Sequence, residues 1–232
     1  MGYLIFRNVS TAALTGVEVA KMPSHKKAQM NRTQYHVKGR DGDLFVNEGY
    51  ANFNMQAVLV LINASAGTRQ LVNAWADGSG KLITSDDLTK AYKATVAEEV
   101  TWSRVKGNSG YYDTATITFS CDPFVYEAVD SVVTLTATGS IVNATSADAY
   151  PLIQVNGSGD VSFTFAGEAI SISDMDANDP VYIDCETGYI YSQSGAAQEM
   201  TGNIPYLPIG TNAVTFGNNL TSLVVTPHWR WI

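Results

Sequence analysis

A run of carboxylates in the second half of the chain is its first candidate for chemistry. Residues 174–179, Asp-Met-Asp-Ala-Asn-Asp, place oxygen ligands at alternate positions, as the start of a calcium-binding loop does. The pattern fails at its diagnostic positions, because the sixth residue is Asp179 instead of glycine and the twelfth is Cys185 instead of glutamate. The sequence favours a hairpin tip between strands at 169–173 and 181–184, and calcium binding stays open as the alternative.

A second acidic pair, Asp184 and Glu186, flanks Cys185 on a predicted strand, so both carboxylates should point to one face. Paired carboxylates serve glycoside hydrolysis, but no other pattern supports that chemistry here. The chain has no Gly-x-Ser-x-Gly, phosphate-loop or dinucleotide-binding motif, and its three histidines lack metal-ligand spacing. We therefore predict a protein that is not an enzyme, with no catalytic residue, no metal ligand and no cofactor.

The composition is typical of a folded chain that is rich in strands. Hydrophobic residues make up 45 % of it and charged residues 16 %, which excludes a disordered polypeptide. The longest apolar run, 57–62, is far shorter than the roughly 20 residues of a membrane span, and no signal peptide is recognisable. We expect synthesis in the cytosol, no membrane insertion, and two free buried thiols at Cys121 and Cys185.

The charge is distributed unequally along the chain. Residues 1–126 contain 13 Lys/Arg and 11 Asp/Glu, a net charge of +2, whereas residues 127–232 contain one arginine and 11 Asp/Glu, a net charge of −10. This break predicts two domains, 1–126 and 127–232, with different neighbours. It also argues against nucleic-acid recognition by the second domain, which would repel phosphate groups.

Apolar periodicity predicts the elements of the first domain. Alternation indicates strands at 50–62 and 114–121, and one amphipathic strand region is predicted at 92–104. One short helix should begin after the capping residue Ser65 and stop at the Asp-Gly-Ser-Gly run 77–80. The run Asp122-Pro-Phe-Val-Tyr-Glu127 should be the exit from the domain, since proline cannot donate to a strand ladder.

Short strands follow one another in the second half at intervals of roughly 8–12 residues, which is typical of a β-sandwich or jelly roll. They are predicted at 132–137, 151–156, 161–166, 169–173, 181–184, 189–192, 212–216 and 222–229. In the tail, Trp229 and Trp231 should lie on one side and Arg230 on the other. Closure of the core is the favoured role for these aromatic rings, with a sugar platform or an interface anchor as alternatives.

Between residues 22 and 43 the apolar periodicity lapses and basic residues accumulate. We interpret the segment as an exposed arm or hairpin that ends in the turn Gly39-Arg-Asp-Gly42. A stretch of this length without a core of its own is often functional, so we predict an arm that contacts a neighbouring subunit, with a solvated loop as the alternative. The candidate interface residues are His25, Lys26, Lys27, Arg32, His36, Lys38 and Arg40.

Several stretches, in this order, resemble the distal tail (Dit) proteins of siphophages. The matching stretches are Gly39-Arg-Asp-Gly42 after the basic arm, the strand at 51–62, the helix leading through Trp75 and 77–82 to Ser85-Asp-Asp87, Phe119-Ser-Cys-Asp-Pro-Phe124, Ile183-Asp-Cys-Glu186, Pro208-Ile-Gly-Thr-Asn212, and Val224-Val-Thr-Pro-His-Trp-Arg230. The sequence departs from this resemblance at His228, where an arginine is expected.

The resemblance implies a mostly β protein, with a sandwich-like N-terminal domain carrying one short helix and a C-terminal galectin-like β-sandwich of the jelly-roll kind. It implies a homo-hexameric ring in the virion, at the distal tip of the tail. The implied partners are the tail tube protein, the tail-tip hub or tail-associated protein and a receptor-binding protein, with DNA only passing through the bore. A carbohydrate-binding sandwich module, using Trp229, Trp231 and tyrosines as stacking faces, is the alternative function.

Overall fold

A computed structural model describes residues 2–62, 65–96, 98–107 and 110–232 of the chain. Strands contain 58 % of the residues and helix 6 %, which confirms the predicted mostly β class with a β-sandwich-like fold. The chain divides into two compact units, of which the first ends at Ala128 and the second runs from Val129 to Trp231.

The first unit is built on one large antiparallel sheet and one helix, α1 (Ala66–Trp75). Its strands are β1 (Leu4–Phe6), β2 (Val9–Ser10), β3 (Val17–Lys21), β4 (Met30–Tyr35), β5 (Leu44–Tyr50), β6 (Phe53–Leu61), β7 (Ser79–Thr84), β8 (Asp87–Val96), β9 (Thr101–Gly107) and β10 (Gly110–Glu127). The sheet has the order β2-β1-β7-β8-β10-β6-β3, and β9 pairs with the first half of β10. Strands β4 and β5 form a separate hairpin.

Helix α1 covers the sheet through an apolar stripe. The Ser65 hydroxyl caps it by accepting a hydrogen bond from the Thr68 N–H at 3.1 Å, as predicted. Trp75 is buried and makes edge-to-face contacts with Phe6 and Phe119, at centroid distances of 5.9 and 6.1 Å. The predicted stop at 77–80 is too long, because Ser79 and Gly80 already belong to β7.

Two predictions for this unit are wrong in detail. The single strand region expected at 92–104 is two strands, β8 and β9, which pair with successive lengths of β10. Pro123 does not end the ladder, since β10 continues to Glu127. The pairing of β10 with β8 shifts register between Cys121 and Val125, and this irregularity accommodates a residue that has no N–H to donate.

The second unit is a β-sandwich. Its strands are β11 (Val133–Leu135), β12 (Gly139–Asn143), β13 (Leu152–Gly157), β14 (Gly159–Phe165), β15 (Glu168–Met175), β16 (Val181–Asp184), β17 (Tyr189–Ser192), β18 (Gly210–Phe216) and β19 (Leu220–Thr226); the short β20 (Arg230–Trp231) follows. One sheet has the order β11-β19-β13-β16-β17 and the other β12-β18-β14-β15. Their inner faces share one core, with Ile153 and Val225 from one sheet and Phe165 and Ile172 from the other.

Three expectations for the sandwich need correction. Strand β12 is not predicted, because Gly-Ser-Ile-Val-Asn has little alternation of its own and gains its pairing from β18. Strands β15 and β16 belong to different sheets, so the expected hairpin tip at 174–179 is instead the end of β15, at Met175, and the start of a crossover between the sheets. The strand expected at 222–229 ends at Thr226, one residue before Pro227.

Candidate interaction surfaces

The hairpin of β4 and β5 is an exposed apolar feature of the first unit. Among the strands that the structure describes, these two pair only with each other. Their large apolar side chains face solvent: Phe45 is 58 % exposed, Tyr35 53 % and Val46 50 %. Gly39 and Gly42 adopt positive φ at the tip, which glycine alone does at little cost. An isolated two-stranded hairpin is marginally stable in water, so this one is suited to packing on a further surface.

The seven candidate residues of the basic arm fall into two groups. The first group precedes the hairpin on the stalk of residues 22–29: His25, Lys26 and Lys27. The second group lies on β4 and in the tip loop: Arg32, His36, Lys38 and Arg40. The structure therefore does not bring the seven together into one basic cluster.

The stalk is anchored to the sheet by His25. Its Nε2 lies 2.6 Å from Oδ2 of Asp86, and its Nδ1 lies 2.9 Å from the hydroxyl of buried Tyr92. The pKa of Asp86 is lowered, first by a hydrogen bond from Thr84 and then by His25. Burial raises the pKa of Tyr92. Lys26 also donates to the Asn54 carbonyl oxygen at 2.7 Å, so these two predicted arm residues fix the base of the arm.

Short-range polar pairs brace the hairpin itself. Arg32 donates from Nε to Oδ1 of Asn47 on the opposite strand at 3.1 Å. Near the tip, Nδ1 of His36 lies 3.0 Å from Oδ1 of Asp43. Lys38 and Arg40 are exposed in the tip loop. The arm thus presents basic groups at its tip and apolar groups along its strands.

A shallow apolar groove is the second exposed apolar feature of the first unit. It has a volume of about 250 Å³ and lies beside α1 and the β2 edge. Val9 and Leu71 on its rim are 45 % and 52 % exposed. The residues that line it are Phe6, Arg7, Val9, Leu14, Leu71, Ala74 and Trp75. The stalk that precedes the hairpin leaves β3 and contacts β8 through His25 and β6 through Lys26, and the hairpin and the groove share no residue.

A buried carboxylate that the sequence did not single out fixes the helix to the β9–β10 hairpin. Asp113 accepts from Nε of Arg69 at 2.8 Å and from Nε of Arg104 at 3.1 Å. Hydrogen bonding to Arg69, followed by that to Arg104, lowers the pKa of Asp113 despite burial. The only sign of this contact in the sequence is an aspartate within an otherwise alternating apolar strand. Both of its oxygens are occupied by guanidinium groups, so its role is positional.

The carboxylates proposed for calcium or hydrolysis serve turns in the structure. Asp176 accepts from the Asn178 N–H at 2.9 Å, and Asp179 accepts from the N–H and hydroxyl of Ser194. Asp184 ends β16 and accepts from the backbone N–H groups of Glu186 and Thr187. Asp184 and Glu186 therefore do not form a pair on one strand face, and the described part of the chain has no metal-binding group of three or more His, Cys, Asp or Glu.

The C-terminal aromatics are held by the sandwich. Trp229 packs against its core, as the favoured interpretation predicts. Arg230 lies over the Tyr150 ring, 4.4 Å from the centroid, and its Nε donates to the Asp148 carbonyl oxygen. His228, where the resemblance predicts arginine, has a φ of 53° and a ring nitrogen 3.1 Å from the Tyr150 carbonyl oxygen. Trp229 is thus part of the packing of the sandwich.

Both cysteines are free and buried, as predicted. Burial raises the pKa of Cys121 and that of Cys185 to about 12. No helix within the described residues is long and apolar enough to span a membrane.

The complete fold is similar to solved structures of a phage Dit protein and of a phage baseplate. The chain superposes on phage SPP1 Dit (gp 19.1), described as a paradigm of hub adsorption apparatus in phages that infect Gram-positive hosts, with a TM-score of 0.76, 11 % identity and 100 % coverage of both chains. It also matches the phage P2 baseplate in its activated conformation, with TM-scores of 0.55 for the calcium form and 0.53 for the strontium form. Identities there are 11 % and 10 %, with 97 % of this chain and 96–97 % of the other covered.

No protein-family model matches the sequence, and no curated protein is similar to it. At these identities the likeness establishes the fold. The predicted resemblance to siphophage distal tail proteins is confirmed at that level, since the Dit fold extends over the whole chain.

Proposed function

We propose that this chain is a structural, non-catalytic subunit of a phage virion, a distal tail protein that assembles into a ring at the tail tip. The agreement with SPP1 Dit over the full length of both chains supports this role, because it includes both units and not one common sandwich. The two P2 baseplate structures that the chain also matches are structural phage proteins, which favours a role in assembly over catalysis.

The observation that carries the proposal is that the first unit has two separate exposed apolar surfaces, which share no residue. One is the β4–β5 hairpin, which lies outside the large sheet, and the other is the groove at the β2 edge of that sheet. A surface that fits a different surface on the next copy gives head-to-tail contacts, and such contacts close into a ring when the rotation allows it. We place the hairpin of one copy on the groove of the next.

The number of copies, the bore and the neighbours form part of the same proposal. We propose six copies around a bore through which DNA passes, between the tail tube protein and the tail-tip hub, with a receptor-binding protein as a further partner. The seven basic arm residues contribute in two ways: His25 and Lys26 fix the stalk, whereas Arg32, His36, Lys38, Arg40 and exposed Lys27 are available to the neighbour. The acidic second unit is a docking platform for partner proteins.

Light scattering and negative-stain imaging of the purified protein, alone and with the tail tube protein, test this proposal. We expect a species of six times the 25.0 kDa chain, seen as a ring with a central hole. Phe45→Asp should abolish it, because a charge would be buried at the contact. Tyr206→Ala, an exposed aromatic on the second unit, is the matched control and should assemble. A monomer under both conditions would refute the ring.

A further inference from the structure

Three stacked tyrosines lie on the outward face of the five-stranded sheet of the second unit. The rings of Tyr182 and Tyr191 stack with centroids 5.4 Å apart and planes 13° apart. Tyr189 stacks on Tyr191 at 5.5 Å and 25°. Tyr191 is therefore the middle of the stack, and Tyr189 is an end ring that is 54 % exposed. One face of the Tyr189 ring is open to solvent, and the rings of Tyr191 and Tyr182 are stacked behind it.

The strands hold this stack in place. Tyr182 of β16 and Tyr191 of β17 are direct cross-strand partners. Tyr189 lies two residues before Tyr191 on β17 and therefore on the same face of the sheet. Val181 and Ile183, the neighbours of Tyr182 on β16, are buried in the sandwich core. The rings therefore have little rotational freedom to lose when a ligand packs on them.

Ordered amide and hydroxyl groups continue the same face beyond the rings. Gln154 of β13 is the cross-strand partner of Tyr182. Its Nε2 donates to Oδ1 of Asn156 at 3.0 Å, and Nδ2 of Asn156 donates to the Ser222 hydroxyl at 3.1 Å. An aromatic face beside fixed amides provides both kinds of contact that a sugar needs: a flat surface for its C–H groups and partners for its hydroxyls.

The charge of the unit narrows the class of ligand. Arg230 is the only Lys or Arg between residues 129 and 231, against ten Asp and Glu. A polyanion such as nucleic acid or a phosphate-rich polymer would be repelled. We propose that this face binds a neutral oligosaccharide, with one pyranose ring stacked on Tyr189 and the hydroxyls of its further sugar units directed towards Gln154 and Asn156. This inference is independent of ring formation by the first unit.

Saturation-transfer difference NMR on the full chain tests the site, with maltohexaose, cellohexaose and chitohexaose as neutral probes and a heparin hexasaccharide as the anionic one. We expect binding of at least one neutral probe and none of heparin. Tyr189→Ala should weaken that binding about fivefold to tenfold, the size of one lost aromatic contact. Tyr189→Phe should retain it, because the ring face remains.

Tyr206→Ala is the control for the loss of any exposed tyrosine, since Tyr206 is 45 % exposed and lies outside this sheet. Light scattering of each variant should show the same assembly as the unmodified chain, so the outcome is separate from that of the ring. Three outcomes would overturn the site: no neutral probe binds, heparin binds best, or Tyr189→Ala and Tyr206→Ala have equal effects.

Discussion

The two units differ in how completely their strands are incorporated into their main sheets. The second unit closes two sheets over one core, whereas the first leaves a hairpin with Tyr35, Phe45 and Val46 about half exposed. Exposed strand edges and apolar stripes are a liability that folded proteins otherwise cover. The comparison teaches that the hairpin of the first unit is the feature that the proposed ring would cover, whereas the sandwich of the second unit is closed without it.

Truncation of one buried phenylalanine in each unit should distinguish the stabilities of the two units most strongly. Phe119→Ala in the first unit and Phe165→Ala in the second remove side chains that are fully buried. Each should cost about 3–5 kcal/mol of unfolding free energy, from lost burial and the cavity left behind. Calorimetry should show each variant lowering the transition of its own unit. One shared transition that moves equally in both variants would contradict independent units.

Acid should affect the first unit through Asp113. Its pKa is lowered in the folded state by Arg69 and Arg104, so it contributes stability that is present above its unfolded pKa of about 3.9. That contribution is lost as the pH falls through the lower folded value. Asp113→Asn should destabilise the first unit at neutral pH and reduce its sensitivity to acid. Thermal melts recorded between neutral and acid pH measure this.

The control for that experiment is Asp179→Asn in the second unit. Its carboxylate pKa is also lowered, but chiefly by hydrogen bonds from the hydroxyl and N–H of Ser194 and not by guanidinium groups. This substitution should leave the melting of the first unit unchanged at every pH. An equal shift of the first unit in both variants would show that Asp113 has no special role.

Substitutions in the hairpin should change assembly while leaving chain stability nearly unaltered. Val46→Asp replaces a half-exposed valine, so the unfolding free energy should change by no more than about 0.5 kcal/mol. Assembly should nevertheless be lost, as measured by light scattering. A large fall in melting temperature without loss of assembly would mean that the hairpin packs within its own chain.

The smallest effect is expected from thiol reagents, because each unit carries one buried cysteine. With a pKa of about 12, Cys121 and Cys185 each exist as thiolate in only about one molecule in ten thousand at pH 8. Labelling followed by mass spectrometry should be slow at both sites and should report the opening of each unit separately. Rapid labelling of either cysteine in the folded protein would contradict the burial described.

Local pattern predicts the elements whose burial follows from their own sequence. Strand β6 and the central part of β10 alternate, and α1 has a capping serine and an apolar stripe, so all three are foreseen. Strand β12 and the passage of β10 through Pro123 depend on partners far along the chain. Local sequence rules do not identify strand partners that lie far along the chain, so neither β12 nor the continuation of β10 through Pro123 is predicted.

The candidate surfaces are predicted less completely, for the same reason. The basic charge of the arm is visible in the sequence, but Leu44-Phe-Val46 has the composition of a core strand and only the fold reveals its exposure. Asp113 meets Arg69 and Arg104 from 44 and 9 positions away, a distance that no motif spans. The tyrosine stack likewise requires knowledge of the β16–β17 register.

Disulfide trapping between copies measures the proposed contact directly. A chain carrying Phe45→Cys and Leu71→Cys has new thiols on the hairpin and in the groove, while its two native thiols remain buried. Under mild oxidation we expect a ladder of cross-linked chains that stops at six, and only traces of cross-linking from either substitution alone. Absence of the ladder, or equal cross-linking by Phe45→Cys alone, would contradict a ring held together by the hairpin of one copy and the groove of the next.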